Sequence, residues 1–370
     1  MPRDHQSYQA DERRDRSATP ASRAGGAAAN RPAGGPTPRS RIRRLSLVPA
    51  VIAGLLAFGC LGGIGFAQPA WPAWPITLIV PFAAGGPTDV IARVVGEGMS
   101  HTLGQQIVIE NVTGAGGTTA GTRTMRAAPD GYTIMLGNMG THAAAVALNP
   151  RLAYNPSRDF APIGMVALTS VLVLARKEFP AHDLGEFIAY VKQHAAELTM
   201  AHAGMGSVSH VTCQLFNSIL GVSPKLLAFQ GSGPAMTALV EGKVDYMCDQ
   251  VVAVVPKAAA HLIQVFAIGS PTRNQALPDV PTAAEAGLPD FEVSAWNALF
   301  APKATPKPVI AKLNAALVTA LDEAAVRERL RELGGDIPSR EERTPDALAA
   351  LVKREIAKWT PILKIAEGTK

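Results

Sequence analysis

Cysteine is scarce. Three occur in 370 residues, and only Cys213 and Cys248 follow the N-terminal apolar run, too few for a disulfide scaffold. Both sit in apolar patterns and read as small buried hydrophobes, with one disulfide between them as the alternative in an oxidising compartment. Basic charge is also missing from the body of the chain. The total is +5 with a pI near 9.2, but ten arginines against four acids give residues 1–44 a charge of +6, which leaves about −1 for the rest. A nucleic-acid partner therefore loses its electrostatic support. With 47% hydrophobic and 18% charged residues, the chain can bury a large core, and its length suggests two domains.

The first 44 residues are rich in Ala, Gly, Pro, Arg and Ser, have Tyr8 as their one aromatic residue, and are expected to be disordered. Arg41 to Arg44 then lead into an apolar run that ends in small residues. This is the pattern of an export signal cleaved after Ala67, so residues 1–67 are set apart. The run is long enough to span a bilayer at ~20 residues, which makes a retained anchor the alternative. Pro49 and five glycines between Gly54 and Gly65 argue against a permanent helix. Arg43-Arg44 and Cys60 are weak matches to twin-arginine export and to lipidation.

From Trp74 onward, short apolar runs alternate with helical stretches, which predicts an α/β protein with parallel sheets and crossover helices. Strands are expected at 76–82, 106–111, 132–137, 164–175, 198–203, 225–230, 244–249, 263–269 and 293–302. Amphipathic periodicity marks helices at 90–104 and 210–221, each stopped by a glycine, and charged-faced helices at 307–334 and 344–366. A Pro/Gly-rich segment from Gly269 to Val293 interrupts the alternation. The pattern reads as one αβ lobe of residues 74–175 and 298–370, with a second lobe of residues 176–297 inserted into it. The crossings are placed near Arg176 and Trp296, and two lobes joined by two crossings form a cleft that can hinge shut.

Two turns carry the chemistry. In PFAAGGPTD, Gly85 and Gly86 allow close backbone approach, and Pro87 suits the first helical position. Free amides at a helix start can hold a carboxylate without Lys or Arg. The plain alternative is a tight turn with Asp89 as an ordinary first-turn acid. In the second lobe AHAGMGSVSH repeats the construction, with Gly204 and Gly206 freeing the backbone and Ser207 or Ser209 capping the helix or donating to a ligand. His210 lies one turn in, and Asp249 ends a strand facing the same crevice, either toward a ligand donor or as a cap.

Enzyme signatures are absent. GAGGTT and GMGSVS lack the third glycine of a dinucleotide fingerprint, no phosphate-loop Lys follows Gly86, no nucleophile elbow occurs, and His202 and His210 lack metal-pair spacing. An acid/base set of Asp89, His210 and Asp249, or Ser207 with His210, is the catalytic alternative.

The motifs WPITLIVPFAAGGPTDVIAR, IVIENVTGAGGTTAG, PDGYTIMLGNMGTHA, AHAGMGSVSH, QGSGPAMTALVEGKVDYMCD and LPDVPTAAEAGLPDFEVSAWNALFAP occur in this order. In them the chain resembles the Bug-type, TctC-like periplasmic solute receptors of tripartite tricarboxylate transporters. The resemblance implies a two-lobed, type II-like Venus flytrap with doubly wound lobes, no catalysis, no cofactor and no metal. It also implies a monomer that delivers a small organic acid to membrane permease subunits. It places ligand contacts on Phe82, Ala83, Gly85, Gly86, Thr88 and Asp89, on Asn138 and Thr141, on Met205, Gly206, Ser207 and His210, and on Asp249. Secreted catalysis on a carboxylate and ligand sensing for a signalling partner are the alternative functions.

Overall fold

The structure, a computed structural model, describes residues 70–368. The expected export segment, its cleavage point and Cys60 lie outside the described residues. Among the described residues no helix is long and apolar enough to cross a membrane.

The chain opens with β1 (Ile76–Val80), whose Ile76, Leu78 and Val80 enter one core cluster while Ile79 turns to the opposite face with Ala120 and Met135. Helix α1 (Pro87–Leu103) follows. It starts at Pro87 rather than at the first periodic apolar residue, and ends on Gly104 in the left-handed conformation. Strands β2 (Ile107–Asn111) and β3 (Thr133–Asn138) flank β1 in parallel, with helix α2 (Thr118–Arg126) between them in sequence. A π-helical turn at Gly140–Ala144 and helix α3 (Ala145–Leu148) come next.

Strand β4 (Phe160–Arg176) runs for 17 residues, about 55 Å at the usual rise, because it serves two sheets. Phe160–Ser170 pairs antiparallel with β9 (Ser294–Pro302), which also pairs antiparallel with β3. From Val171 to Arg176 the same strand pairs with β7 (Tyr246–Gln250) and β8 (Ile263–Ile268). Beyond β7 lie β5 (Thr199–His202) and β6 (Lys225–Ala228), in parallel. Leu172 and Leu174 of β4 enter one core cluster, and Val171 and Val173 the other.

The expectation of parallel sheets holds for β1–β3 and β5–β7 and fails for β4, β8 and β9. Apolar runs show that strands exist but not which way neighbours point, and β4 and β9 carry the chain out and back between two sheets. The partner change falls at Ser170–Val171. On the return, Val293 donates to the Gly269 carbonyl at 2.7 Å and Ser294 then pairs with Ser170. The strand passes through its junction without a break, marked only by Thr169 and Ser170 within an otherwise apolar run, so local pattern does not reveal the change of sheet.

Helices α4 (Leu184–His194), α5 (Val208–Leu220), α6 (Ser232–Val240) and α7 (Val251–Ala259) belong to the second half. The stretch expected as one helix at 307–334 is two, α8 (Lys307–Asp322) and α9 (Ala324–Glu332), separated by Glu323 in an extended conformation. Helix α10 (Pro345–Gly368) closes the described chain. Cys213 of α5 and Cys248 of β7 form a disulfide, which corrects the reading of two free buried thiols.

Candidate functional site

Three helix starts converge on one small cavity. It is lined by Phe82, Gly86, Pro87 and Thr88 from the β1–α1 turn, Asn138 from the end of β3, Ala203 and Ser207–Ser209 from the β5–α5 turn, Ser232 at the first residue of α6, and Gln250 at the end of β7. It is nearly filled by its own walls, with about 10 Å³ left open, room for about one water. No Lys, Arg, Asp or Glu lines it.

The first turn is held from behind. Asp89, nearly fully buried, accepts the Gly85 N–H at 3.0 Å, takes two bonds from the Arg93 guanidinium at 2.9 Å each, and accepts from Asn111 at 2.9 Å. Burial pushes this carboxyl upward, but Arg93, Gly85 and Asn111 outweigh it and hold it below its ordinary value. Both oxygens are therefore occupied within the turn, so Asp89, expected among the ligand contacts, shapes the loop that presents Gly86 and Thr88. Gly85 needs its φ of +81°, which a side chain would strain.

Asn138 is fully buried and donates to the Thr88 hydroxyl at 3.3 Å, while its backbone N–H donates to the Thr141 hydroxyl at 3.0 Å. Thr141 lies behind Asn138, its carbonyl fixed by the Tyr154 hydroxyl at 2.8 Å. On the second turn Ser207 caps α5 by accepting the His210 N–H at 3.3 Å, and Ser209 accepts the Ala203 N–H at 2.9 Å. The His210 ring takes the Gly206 N–H on Nδ1 at 3.3 Å and lies 4.7 Å from the His202 ring.

Asp249 is fully buried behind Ser232, whose hydroxyl donates to its Oδ1 at 3.0 Å; the Gln250 N–H adds a bond at 2.9 Å, and Oδ2 has no partner. Burial pushes this carboxyl up to about 7, against the pull of Gln250 and Ser232. Gln250 is anchored through its Oε1, which accepts from Thr169 at 2.7 Å and Asn297 at 3.0 Å.

Of the residues expected to touch a ligand, Phe82, Gly86, Thr88, Asn138 and Ser207 line the cavity. Ala83, Gly85, Asp89, Thr141, Gly206, His210 and Asp249 stand around it without lining it, and Met205 is 63% exposed. Ser232 and Gln250 were not anticipated. Ser232 could have been found, since Gly231-Ser232-Gly233-Pro234 is a third Gly/Ser/Pro helix start after a strand, whereas Gln250 carries no such signal. The acid/base set of Asp89, His210 and Asp249 does not assemble at the cavity wall, and among the described residues no cluster of His, Cys, Asp or Glu can hold a metal ion.

The two halves meet across a seam of backbone. The Ala83 N–H donates to the Gln230 carbonyl at 2.9 Å. A Cβ on Gly233 would lie 2.4 Å from the Ala84 carbonyl oxygen, one on Gly140 would lie 2.8 Å from the Gly206 oxygen, and one on Gly116 would overlap the Met205 carbonyl.

Two αβ halves that share a strand and enclose a cavity ringed by helix starts define a two-lobed periplasmic binding protein. Residues 91–367 match the family described as the Tripartite tricarboxylate transporter family receptor, and the chain belongs to that family of solute-binding receptors. Among solved structures it is 52% identical to MatC from Rhodopseudomonas palustris, described with bound malate, over 79% of this chain and 99% of that one, with a TM-score of 0.77. A second R. palustris protein, described with adipate, is 32% identical over 80% of this chain and 98% of its own, also with a TM-score of 0.77. A protein encoded in the TAR-I ttuE-ttuC' intergenic region of Agrobacterium vitis is 38% identical over 89% of this chain and 95% of its own.

Proposed function

We propose that this chain is a periplasmic receptor that closes over a small dicarboxylate of malate's class and delivers it to a tripartite-type membrane permease. The observation that carries this reading is the convergence of the α1, α5 and α6 starts, with Ser207, Ser209, Ser232 and Thr88, on a cavity without a basic side chain. Each helix start presents roughly half a positive charge and unsatisfied amides, and three of them attract an anion without a formal cation. The bound malate and adipate of the two relatives are both dicarboxylic acids.

The protein works as a monomer without cofactor or chemistry, after its leader is removed. One lobe comprises the residues before Val171 and after Val293, and the other the residues between. They hinge where β4 and β9 meet, and the backbone seam is the closed arrangement. Closure presents the permease with a surface that the open form lacks.

The test is thermal denaturation of the protein from the periplasmic fraction with malate, adipate and citrate, before and after Ser232→Ala. Malate at 100 times its Kd should stabilise by about 2.7 kcal/mol. Ser232→Ala removes the donor that holds Asp249 Oδ1 behind the cavity wall and should weaken binding about tenfold. No shift with any dicarboxylate, or turnover of the bound acid, would sink the reading.

A further inference from the structure

A second concavity lies apart from the ligand cavity, on the first half of the molecule. It is a broad groove of about 770 Å³ between the face of α2 carrying Thr118, Thr122 and Arg126 and the segment from Asn149 to Ala153. Its charge is uncompensated. Arg123 on its wall is neutralised by Glu110 through two bonds of 2.7 and 2.6 Å, but Arg126 and Arg151 meet no carboxylate among the described residues, and no acid lines the groove. Arg93, Arg176, Arg273 and Arg343 sit against Asp or Glu, and what sets the groove apart is two unpaired arginines lining one concavity that no acid lines.

A turn of the other half lies against the residues that precede both walls. Gly116, two residues before Thr118, is in backbone contact with Met205, and a Cβ on Gly206 would lie 3.9 Å from Leu148, the residue before Asn149. The Met205–Gly206 turn therefore bridges the points where both groove walls begin. Met205 on this turn is an apolar side chain that is 63% exposed.

We propose that this groove, with Met205 at its end, is the docking surface for an acidic segment of the membrane partner, a segment that also carries an apolar residue for Met205. Charge complementarity chooses the occupant: two unpaired guanidinium groups among threonine hydroxyls suit carboxylates spaced along a peptide. The groove offers about 770 Å³, against about 10 Å³ in the ligand cavity, and fits a stretch of chain rather than a second small acid. Both walls belong to the first half, but the Met205 turn of the other half reaches their starting points only across the closed seam, so a partner that touches groove and turn together reads closure. This inference rests on the receptor reading above.

The test places the photo-crosslinking residue p-benzoylphenylalanine at position 122 in cells taking up labelled malate, and separately measures uptake by the double variant Arg126→Glu, Arg151→Glu. The expected result is a malate-dependent adduct with an acidic periplasm-facing peptide of a membrane subunit. Uptake should fall at least tenfold in the double variant, with its thermal stability and malate-induced shift unchanged. Met205→Glu should reduce uptake in the same way. An adduct with lipid, or uptake by the double variant within twofold of wild type, overturns the groove and leaves the receptor standing. A wild-type protein that shows no malate shift overturns both.

Discussion

Gly233 offers the sharpest test of the seam. It is the second residue of α6, and a methyl group there would sit 2.4 Å from the Ala84 carbonyl oxygen, 3.2 Å from the Gly85 carbonyl carbon and 3.3 Å from the Gly86 nitrogen. All three atoms are backbone of the opposite half, and none can swing aside. To regain ordinary contact the two turns must separate by roughly 1 Å. That stretches the 2.9 Å bond from Ala83 to Gln230 and loosens the cavity wall at Gly86 and Ser232. Overpacking of this kind costs about 1–3 kcal/mol, which converts to a loss in malate affinity of about 5- to 150-fold. The open form has no such clash, and alanine is a better helix former than glycine, so the unliganded protein should melt within a degree or two of wild type. Calorimetric titration with malate, alongside the unliganded melting temperature, reads both quantities. A Kd within twofold of wild type would refute the argument. A large fall in the unliganded melting temperature would also refute it, because the seam would then hold the resting protein together.

Three further outcomes follow from the buried groups. Asp249 keeps its proton in the folded protein up to about pH 7, whereas an unfolded aspartate releases it near 3.9, so its contribution falls as pH rises between these values and is flat above them. The full span is about 4 kcal/mol, and Asp249→Asn should flatten the melting profile from pH 4 to 7; parallel profiles would contradict this. Asp89→Ala strands the Gly85 amide and the Asn111 side chain and leaves Arg93 unpaired, and should destabilise by about 2–4 kcal/mol with weaker malate binding, as seen in urea unfolding with and without malate. Replacing Cys213 and Cys248 by serine opens a crosslink spanning 35 residues and should lower stability by about 3–4 kcal/mol, which unfolding of the oxidised and reduced proteins would check.

Local pattern revealed the elements, because each strand and helix announces itself within a few residues. All nine strands fall where apolar runs predict them, from Ile76 to Pro302. Relations across the chain were harder to read. The antiparallel return of β9 beside β4 depends on residues more than a hundred positions apart, and the Cys213–Cys248 bond on a helix face meeting a strand. At the site, the glycine and serine turns were legible because an amide-rich helix start has a composition of its own. Asp89 was read as ligand-facing because nothing near it in sequence discloses Asn111, 22 residues on. Gln250 was missed because its place comes from Thr169 and Asn297, on two other strands.

The three helix starts have a consequence for how such a receptor can diversify. What they present to an anion is peptide backbone, which no substitution except one to proline deletes, while the remaining wall is made of exchangeable side chains such as Phe82, Ser232 and Gln250. Recognition of the acidic group and recognition of the carbon skeleton are thereby carried by different atoms, backbone for one and side chains for the other, within the same turns. Drift in the second can turn the protein toward a new nutrient while the first goes on working.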